Sequence, residues 1–361
     1  MTTTTDPQPS RDTLAALDTS LTAGKLPRWV PGVLVLVAVA LGAALTVPGG
    51  FSWGSLAVVS ALAYLVLIVS VSRAKEGARK AKDRLVTSLV TMAFLLAMVP
   101  LVSVVQTVVS RGIARFDPTF FTWTMTGVVG EGGGGLHAIW GTILITLFAT
   151  LISVPVGVLC AVYLIEYGAG SKLAKAITFL VDVMTGIPSI VAGLFIAAVF
   201  VLLVGPEMRI GLMGALALSV LMIPVVVRAT EEMLKLVPND LREAAYALGV
   251  PKWRTIVKVV LRTSVSGIAT GVTLAVARVA GETAPLLLTI GYITGTNFNV
   301  LEGRMTTLPT FAYFSYQNPG IPAQAGYDRA WTAAMVLIIL VMLLNLVARM
   351  ISRYFAPKGS R

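Results

Sequence analysis

The feature that most constrains this chain is the gathering of its apolar residues into eight uninterrupted stretches, roughly 30–47, 53–72, 85–109, 136–164, 177–204, 210–227, 263–292 and 331–352. At about 1.5 Å of helix per residue, runs of this length reach across a hydrocarbon core ~30 Å thick. The sequence therefore predicts an all-α polytopic membrane protein. Composition agrees: only 12% of the 361 residues are charged and the mean hydropathy is +0.86, which excludes a soluble globular chain.

Residue counts exclude several chemistries. Cys160 is the single cysteine and His137 the single histidine, so no internal disulfide, Cys/His zinc site, His-dependent triad or haem-attachment motif can be built from this chain alone. No nucleophile–base constellation stands out, which predicts no catalytic residues, and no metal site is expected. No GxxxxGK[ST] occurs, so the chain binds no ATP through a P-loop of its own and is expected to hold no cofactor. Residues 1–29 carry Asp6, Asp12 and Asp18 and lack the basic start and apolar core of a cleaved signal, so they read as a cytoplasmic tail. Leu14, Ala15, Leu17 and Leu21 within it leave open a short surface helix.

The net charge of +11 would suggest nucleic acid in a soluble protein, but its placement points elsewhere. Eight spans with the N-terminus inside assign 1–29, 73–84, 165–176, 228–262 and 353–361, with Arg349, to the cytoplasm. These hold 22 of the 28 Lys and Arg, against five outside (Arg111, Arg115, Arg209, Arg304 and Arg329). That asymmetry is a positive-inside signal; it places both termini in the cytoplasm of a bacterial cell membrane, with lipid rather than nucleic acid as the partner of the basic segments. The segment 73–84 reads as a basic connector. In the external loop, EGGGG at 131–135 lacks the Lys-Ser/Thr of a phosphate cradle and reads as a flexible linker. The remaining basic residue, Arg278, falls inside a span.

The longest cytoplasmic segment, 228–262, has helical periodicity. Asn239 suits a cap, Leu241, Ala244, Ala245 and Leu248 share a face, and Gly249 suits a stop. Pro251 then opens a second helix in which Trp253, Ile256, Val257, Val260 and Leu261 share a face. Two short amphipathic helices joined at this corner form either a packed hairpin or a knob offered to a partner.

Three charges lie within apolar runs. Arg278 and Glu282 are four apart and so share a helical face, with Gly271, Ala275 and Pro285 nearby. Burying either at mid-bilayer costs at least ~2.5–3.5 kcal/mol, so they face a cavity or another helix. One reading is an internal salt bridge; the other is substrate contact, for which a planar, permanently charged guanidinium suits an oxyanion. Asp182 reads either as a carboxylate paired with Lys172 or Lys175 or, if deeper, as a gate that repels anions. Tyr163 and Trp140 read as interfacial anchors.

Glu243-Ala244-Ala245, then Gly249 and Val259-Val260-Leu261, resembles the EAA loop of ABC-importer permeases, which docks into a cleft of the ATPase subunit. Arg262 stands where that pattern has proline. The string from Ala277 to Leu288, ARVAGETAPLLL, resembles the PstA-type permeases of the phosphate-specific transport family, as do TGIPSIVAGLF at 185–195, YLIEY at 163–167 and MTTLP at 305–309. The resemblance covers about 85–355. It implies a type I ABC-importer core of six transmembrane helices over 85–355 that includes the 228–262 coupling loop. An additional hairpin with its basic connector precedes it at 30–84, and a cytoplasmic tail follows at 356–361.

The resemblance further implies a permease subunit of an ATP-driven phosphate importer, a transporter subunit and not an enzyme. Its implied partners are a PstC-like permease chain, two copies of a PstB-like ATPase that holds the ATP and Mg, and a PstS-like phosphate-binding protein, periplasmic or surface-anchored. Arg278, Glu282 and Asp182 then fall on the substrate pathway, and Glu243, Ala244, Ala245, Gly249, Pro251 and Trp253 on the ATPase-docking surface. Two alternatives stay open: an ABC permease for another oxyanion such as molybdate or sulfate, and an ion-coupled secondary anion transporter.

Overall fold

The computed structural model describes residues 25–47 and 52–355. The stretch around Leu14–Leu21, for which the sequence leaves open a short surface helix, lies outside the described residues, as do the rest of residues 1–24 and the tail 356–361. Two compact units divide the chain, Met1–Val105 and Gln106–Arg361.

The first unit contains α1 (Val30–Thr46), α2 (Trp53–Glu76) and most of α3 (Ala78–Gly112). Helices α1 and α2 pack as an antiparallel pair whose close approach depends on Gly42, where a Cβ would overlap the Ser60 hydroxyl. The connector 73–84 is not a loop. It is helical on both sides of Gly77, whose φ of +89° suits glycine alone. Glu76 organises this corner: its carboxylate accepts from Leu26 N at 2.9 Å, Ser72 Oγ at 2.9 Å and Arg84 Nε at 2.7 Å.

The second unit begins in α3 and a 3₁₀ turn, Ile113–Arg115, followed by α4 (Pro118–Thr122). Next come α5 (Leu136–Val162), which runs on through a π-helical turn at Tyr163–Tyr167, then α6 (Lys172–Thr185), α7 (Ser189–Leu203) and α8 (Gly211–Lys235). Helix α9 (Asn239–Ala247) is followed by α10 (Lys252–Thr255), a π-helical turn at Ile256–Val260 and α11 (Leu261–Ala280), these last three forming one unbroken helix. The chain ends in α12 (Ala284–Thr289), α13 (Leu308–Gln317) and α14 (Ala323–Phe355). Ile145, Leu218, Met222, Ala275, Leu286 and Ile290 form the main core, drawn from α5, α8, α11 and α12. Small residues let these helices approach: a Cβ on Gly157 would lie 2.7 Å from Val226 Cγ1, and Gly271 faces Ala229.

Among the described residues, six helices are long and apolar enough to cross a membrane, or seven if one bent pair counts as a span. Three of the eight expected spans differ. Helix α1 has only 17 residues, at the lower edge of spanning length. The stretch 177–204 is not one rod: α6 and α7 meet at 110° across Gly186-Ile187-Pro188. The stretch 263–292 is also broken, α11 ending at Ala280 and α12 starting at Ala284. In both places apolar character continues while glycine and proline interrupt the backbone hydrogen bonds.

The glycine loop also departs from expectation. It is clasped by two arginines: Arg115 donates to the carbonyls of Gly132 at 3.0 Å and Gly133 at 2.8 Å, and Arg329 donates to Gly130 at 2.7 Å. A side chain at Gly134 would meet the carbonyls of Thr119 and Trp123 at 2.6 Å, and one at Gly135 the Phe120 ring at 2.7 Å, so these two glycines serve close packing. Asp117 caps α4 beside this loop, and hydrogen bonding, first from the Thr119 hydroxyl, holds its carboxyl below the usual range against the opposing effect of burial.

Candidate functional site

The segment 239–262 forms the two helices its periodicity predicts, with the turn at Gly249 (φ +73°), where Val250 N donates to Ala245 O at 3.1 Å. Asn239 is not the cap. It is the first helical residue after Pro238, and its side-chain oxygen accepts from Arg242 at 3.2 Å. The expected apolar face does not pack inward as a set. Ala245, Ile256 and Val260 are buried, whereas Leu248 is 83% exposed, Trp253 56% and Val257 54%. The π-helical turn accounts for part of this: one extra residue per turn at Ile256–Val260 shifts the face by roughly 100°, one residue's rotation in a 3.6-residue helix. Glu243, Ala244, Gly249 and Pro251 are exposed beside Leu248 and Trp253. An apolar patch is thus left at the surface rather than closed into a hairpin.

Two arginines absent from the sequence-derived site hold this region. Arg242 donates to Glu166 Oε1 at 2.8 Å and to the carbonyls of Leu234 at 3.0 Å and Val237 at 2.7 Å. It thereby satisfies carbonyls at the C-terminal end of α8 and ties α9 to the π-helical turn that ends α5. Arg228 pairs with Glu231 at 2.6 Å and with Asp182. Asp182 is therefore not bonded to Lys172 or Lys175, as one reading had it, but to a partner 46 residues away. Spacing of such pairs carries no sequence signal; YLIEY, which contains Glu166, was the only pointer to either.

Arg278 and Glu282 are not a helical pair. Helix α11 stops at Ala280, and Glu282 lies in the break, its backbone N–H donating to Val279 O at 3.1 Å. Among the described residues neither side chain forms a hydrogen bond or salt bridge; Arg278 is exposed and Glu282 half-buried. Beside them α12 packs against α7, where a Cβ at Gly193 would sit 2.6 Å from Pro285 Cα. The two broken segments, Gly186–Pro188 with α7 and Gly281–Thr283 with α12, are therefore neighbours. At the N-terminal end of the same 29-residue helix stands Trp253, about 38 Å of helix from Arg278 at 1.5 Å per residue. Among the described residues no group of His, Cys, Asp and Glu is placed to hold a metal ion. Trp140 contacts Phe298 edge to face at 5.6 Å, and Tyr163 opens the π-helical turn of α5.

The family described as "Binding-protein-dependent transport system inner membrane component" matches residues 153–361, a range that contains the segment 228–262 and both helix breaks. The chain is 45% identical over 273 residues to the phosphate transport system permease protein PstA of Mycobacterium leprae, covering 74% of this chain and 88% of that one. It belongs to the PstA family of transport permeases. It is also 44% identical over 286 residues to PstA 1 of Mycobacterium tuberculosis H37Rv (78% of this chain, 91% of the relative). With PstA of Pasteurella multocida the figure is 41% over 283 residues (78% and 97%). As a member of the PstA family, the chain is a multi-pass inner-membrane permease component and carries no enzymatic step itself. Two of the strings that resemble this family, TGIPS and GET, are the two helix breaks.

Proposed function

We propose that the chain is one half of the translocation pathway of an ATP-driven inorganic phosphate importer. Its companions are a PstC-like permease, two PstB-like ATPase subunits that hold the ATP and Mg, and a PstS-like binding protein; both of its termini face the cytoplasm. The observation that carries the reading is the continuous helix Lys252–Ala280, with the exposed Trp253 at one end and the unpaired Arg278 at the other. A helix behaves as a rigid element, so movement of the docking patch is passed to the guanidinium.

The electrostatics explain why coupling is needed. Phosphate carries about −1.5 to −2 charges near neutrality, by analogy with phosphorylated side chains, and each costs ~2.3 kcal/mol per 100 mV to move into a negative interior. A passive pore would release phosphate outward. In the importer Arg278 supplies a transient counter-charge, free because no carboxylate neutralises it. Glu282, unpaired in the adjacent break, keeps anion binding weak enough for release. Asp182 shares Arg228 with the buried Glu231, so it belongs to an ion cluster rather than repelling substrate as a lone charge.

Docking uses Glu243, Ala244, Gly249, Pro251 and Trp253 at the surface, with Ala245 packed beneath them. Arg278→Gln tests the pathway: uptake of radiolabelled phosphate should fall to background while the ATPase still co-purifies, and undiminished uptake would remove Arg278 from the pathway. Glu243→Lys or Gly249→Asp should release the ATPase from membranes. Competition by sulfate or molybdate against labelled phosphate distinguishes phosphate from other oxyanions.

A further inference from the structure

We infer that the N-terminal unit holds one anionic phospholipid in a cleft between α1, α2 and the first half of α3. The cleft has a volume of about 950 Å³ and lies wholly within residues 25–95. That is the upper end of the ~300–1,000 Å³ typical of small-molecule sites. Its chemistry is divided along its length. At one end are Lys25, Arg28, Lys80 and Asp83 with the Arg84–Glu76 pair; farther along the walls are Val35, Val39, Ala61, Met92 and Leu95.

Three observations select a lipid. The charged end is unbalanced: Glu76 and Arg84 neutralise one another at 2.7 Å, which leaves Lys25, Arg28 and Lys80 against Asp83 alone, none of the four with an ion-pair partner among the described residues. The depth fits, because Asp83 to Leu95 spans about 18 Å of helix at 1.5 Å per residue, close to the ~15 Å of half a 30 Å hydrocarbon core. The cleft also has a fixed head. Glu76 binds Leu26 N and Ser72 Oγ as well as Arg84, so the segment bearing Lys25 and Arg28 is held against the start of α3 by bonds within the chain. Basic side chains at the headgroup level attract anionic lipid, and each acyl CH₂ buried in the apolar part of the cleft adds to that attraction.

The test uses the complete transporter complex, purified and examined by native mass spectrometry after equilibration with phosphatidylglycerol, phosphatidylcholine or inorganic phosphate. Wild type should retain one more phosphatidylglycerol than the triple variant Lys25→Gln/Arg28→Gln/Lys80→Gln, with at least tenfold weaker retention in the variant and equal phosphatidylcholine in both. Ala61→Phe, which fills the apolar part, should lose the same lipid with the charges intact. Equal phosphatidylglycerol in wild type and the triple variant would overturn the inference. So would displacement of the lipid by millimolar inorganic phosphate, which would make the site one for a free anion. Assembly of each variant, read as intact complex mass in the same spectra, separates loss of lipid from loss of fold.

Discussion

Arg242 Nη2 lies 2.8 Å from Glu166 Oε1, joining the docking helix to the end of α5 across 76 residues of sequence. Both side chains are largely buried, and Glu166 has no other hydrogen-bond partner among the described residues, whereas Arg242 keeps three further acceptors. Breaking a buried pair from one side costs about 3–5 kcal/mol, because a charge is left without compensation. Arg242→Ala should therefore lower the melting temperature of the complex more than Glu166→Ala, and should weaken ATPase retention. A double-mutant cycle should give a coupling of at least ~1 kcal/mol; effects that simply add to within ~0.5 kcal/mol would show that the two residues act independently.

Gly193 and Gly186 make opposite demands although both occur in the TGIPSIVAGLF string. A Cβ at Gly193 would meet Pro285 Cα at 2.6 Å and its carbonyl oxygen at 2.8 Å, and backbone atoms cannot swing aside. At Gly186 the nearest atom is Val183 O at 3.5 Å, an ordinary contact, and its φ of −91° suits any L-residue. Gly193→Ala should force α7 and α12 apart and cost roughly 1–3 kcal/mol, as overpacking does. Gly186→Ala should leave stability within about 0.5 kcal/mol and uptake unchanged. Thermal unfolding of the purified complex, with uptake measured in parallel, checks both.

Much of this architecture is legible in the sequence because a membrane leaves few alternatives to apolar helices, and because Gly249 and Pro251 punctuate the docking segment. What stays open or is misread follows from two physical limits. Amphipathic periodicity reports that a face is apolar but not whose surface will cover it, so the pattern leaves a packed hairpin and a partner-facing knob both open, and Leu248, Trp253 and Val257 lie exposed. Hydropathy runs smoothly through a break, so Arg278 and Glu282 were given a common face, although Gly281 followed by Pro285 is a stop and a restart. Glycines can mislead in the other direction too. EGGGG has the composition of a linker, but of the two arginines that clasp it Arg329 lies 197 residues from Gly132, and nothing in the spacing of Arg115 announces its bond to the same carbonyl.

That clasp makes its own prediction. Arg329 donates to Gly130 O at 2.7 Å and Gly132 O at 3.2 Å. Arg329→Gln should free the loop and raise hydrogen exchange at the amides of Gly134 and Gly135 at least tenfold, equivalent to about 1.4 kcal/mol of lost local stability. Asp117 adds a pH dependence. Its folded pKa is lowered, so its stabilising contribution is present above the ordinary carboxylate range and lost as pH falls through the folded value. The protection of these amides, measured against the intrinsic exchange rate at each pH, should therefore fall on acidification in wild type, and Asp117→Asn should show less of this acid response.

The Asp182–Arg228–Glu231 cluster separates a structural role from a gating one. The Asp182 side chain is 58% exposed, that of Arg228 30% and that of Glu231 6%. An exposed ion pair contributes at most ~1 kcal/mol, so Asp182→Asn should be nearly silent in stability. Arg228→Gln, in contrast, leaves Glu231 buried without its counter-charge and should cost about 3–5 kcal/mol. Phosphate uptake provides the second axis. If Asp182 only balances Arg228, Asp182→Asn keeps both the rate and the selectivity of uptake. A variant that is stable yet leaks phosphate outward or admits sulfate would instead restore Asp182 to the pathway as a gate, with Arg228 as the partner it must release to act.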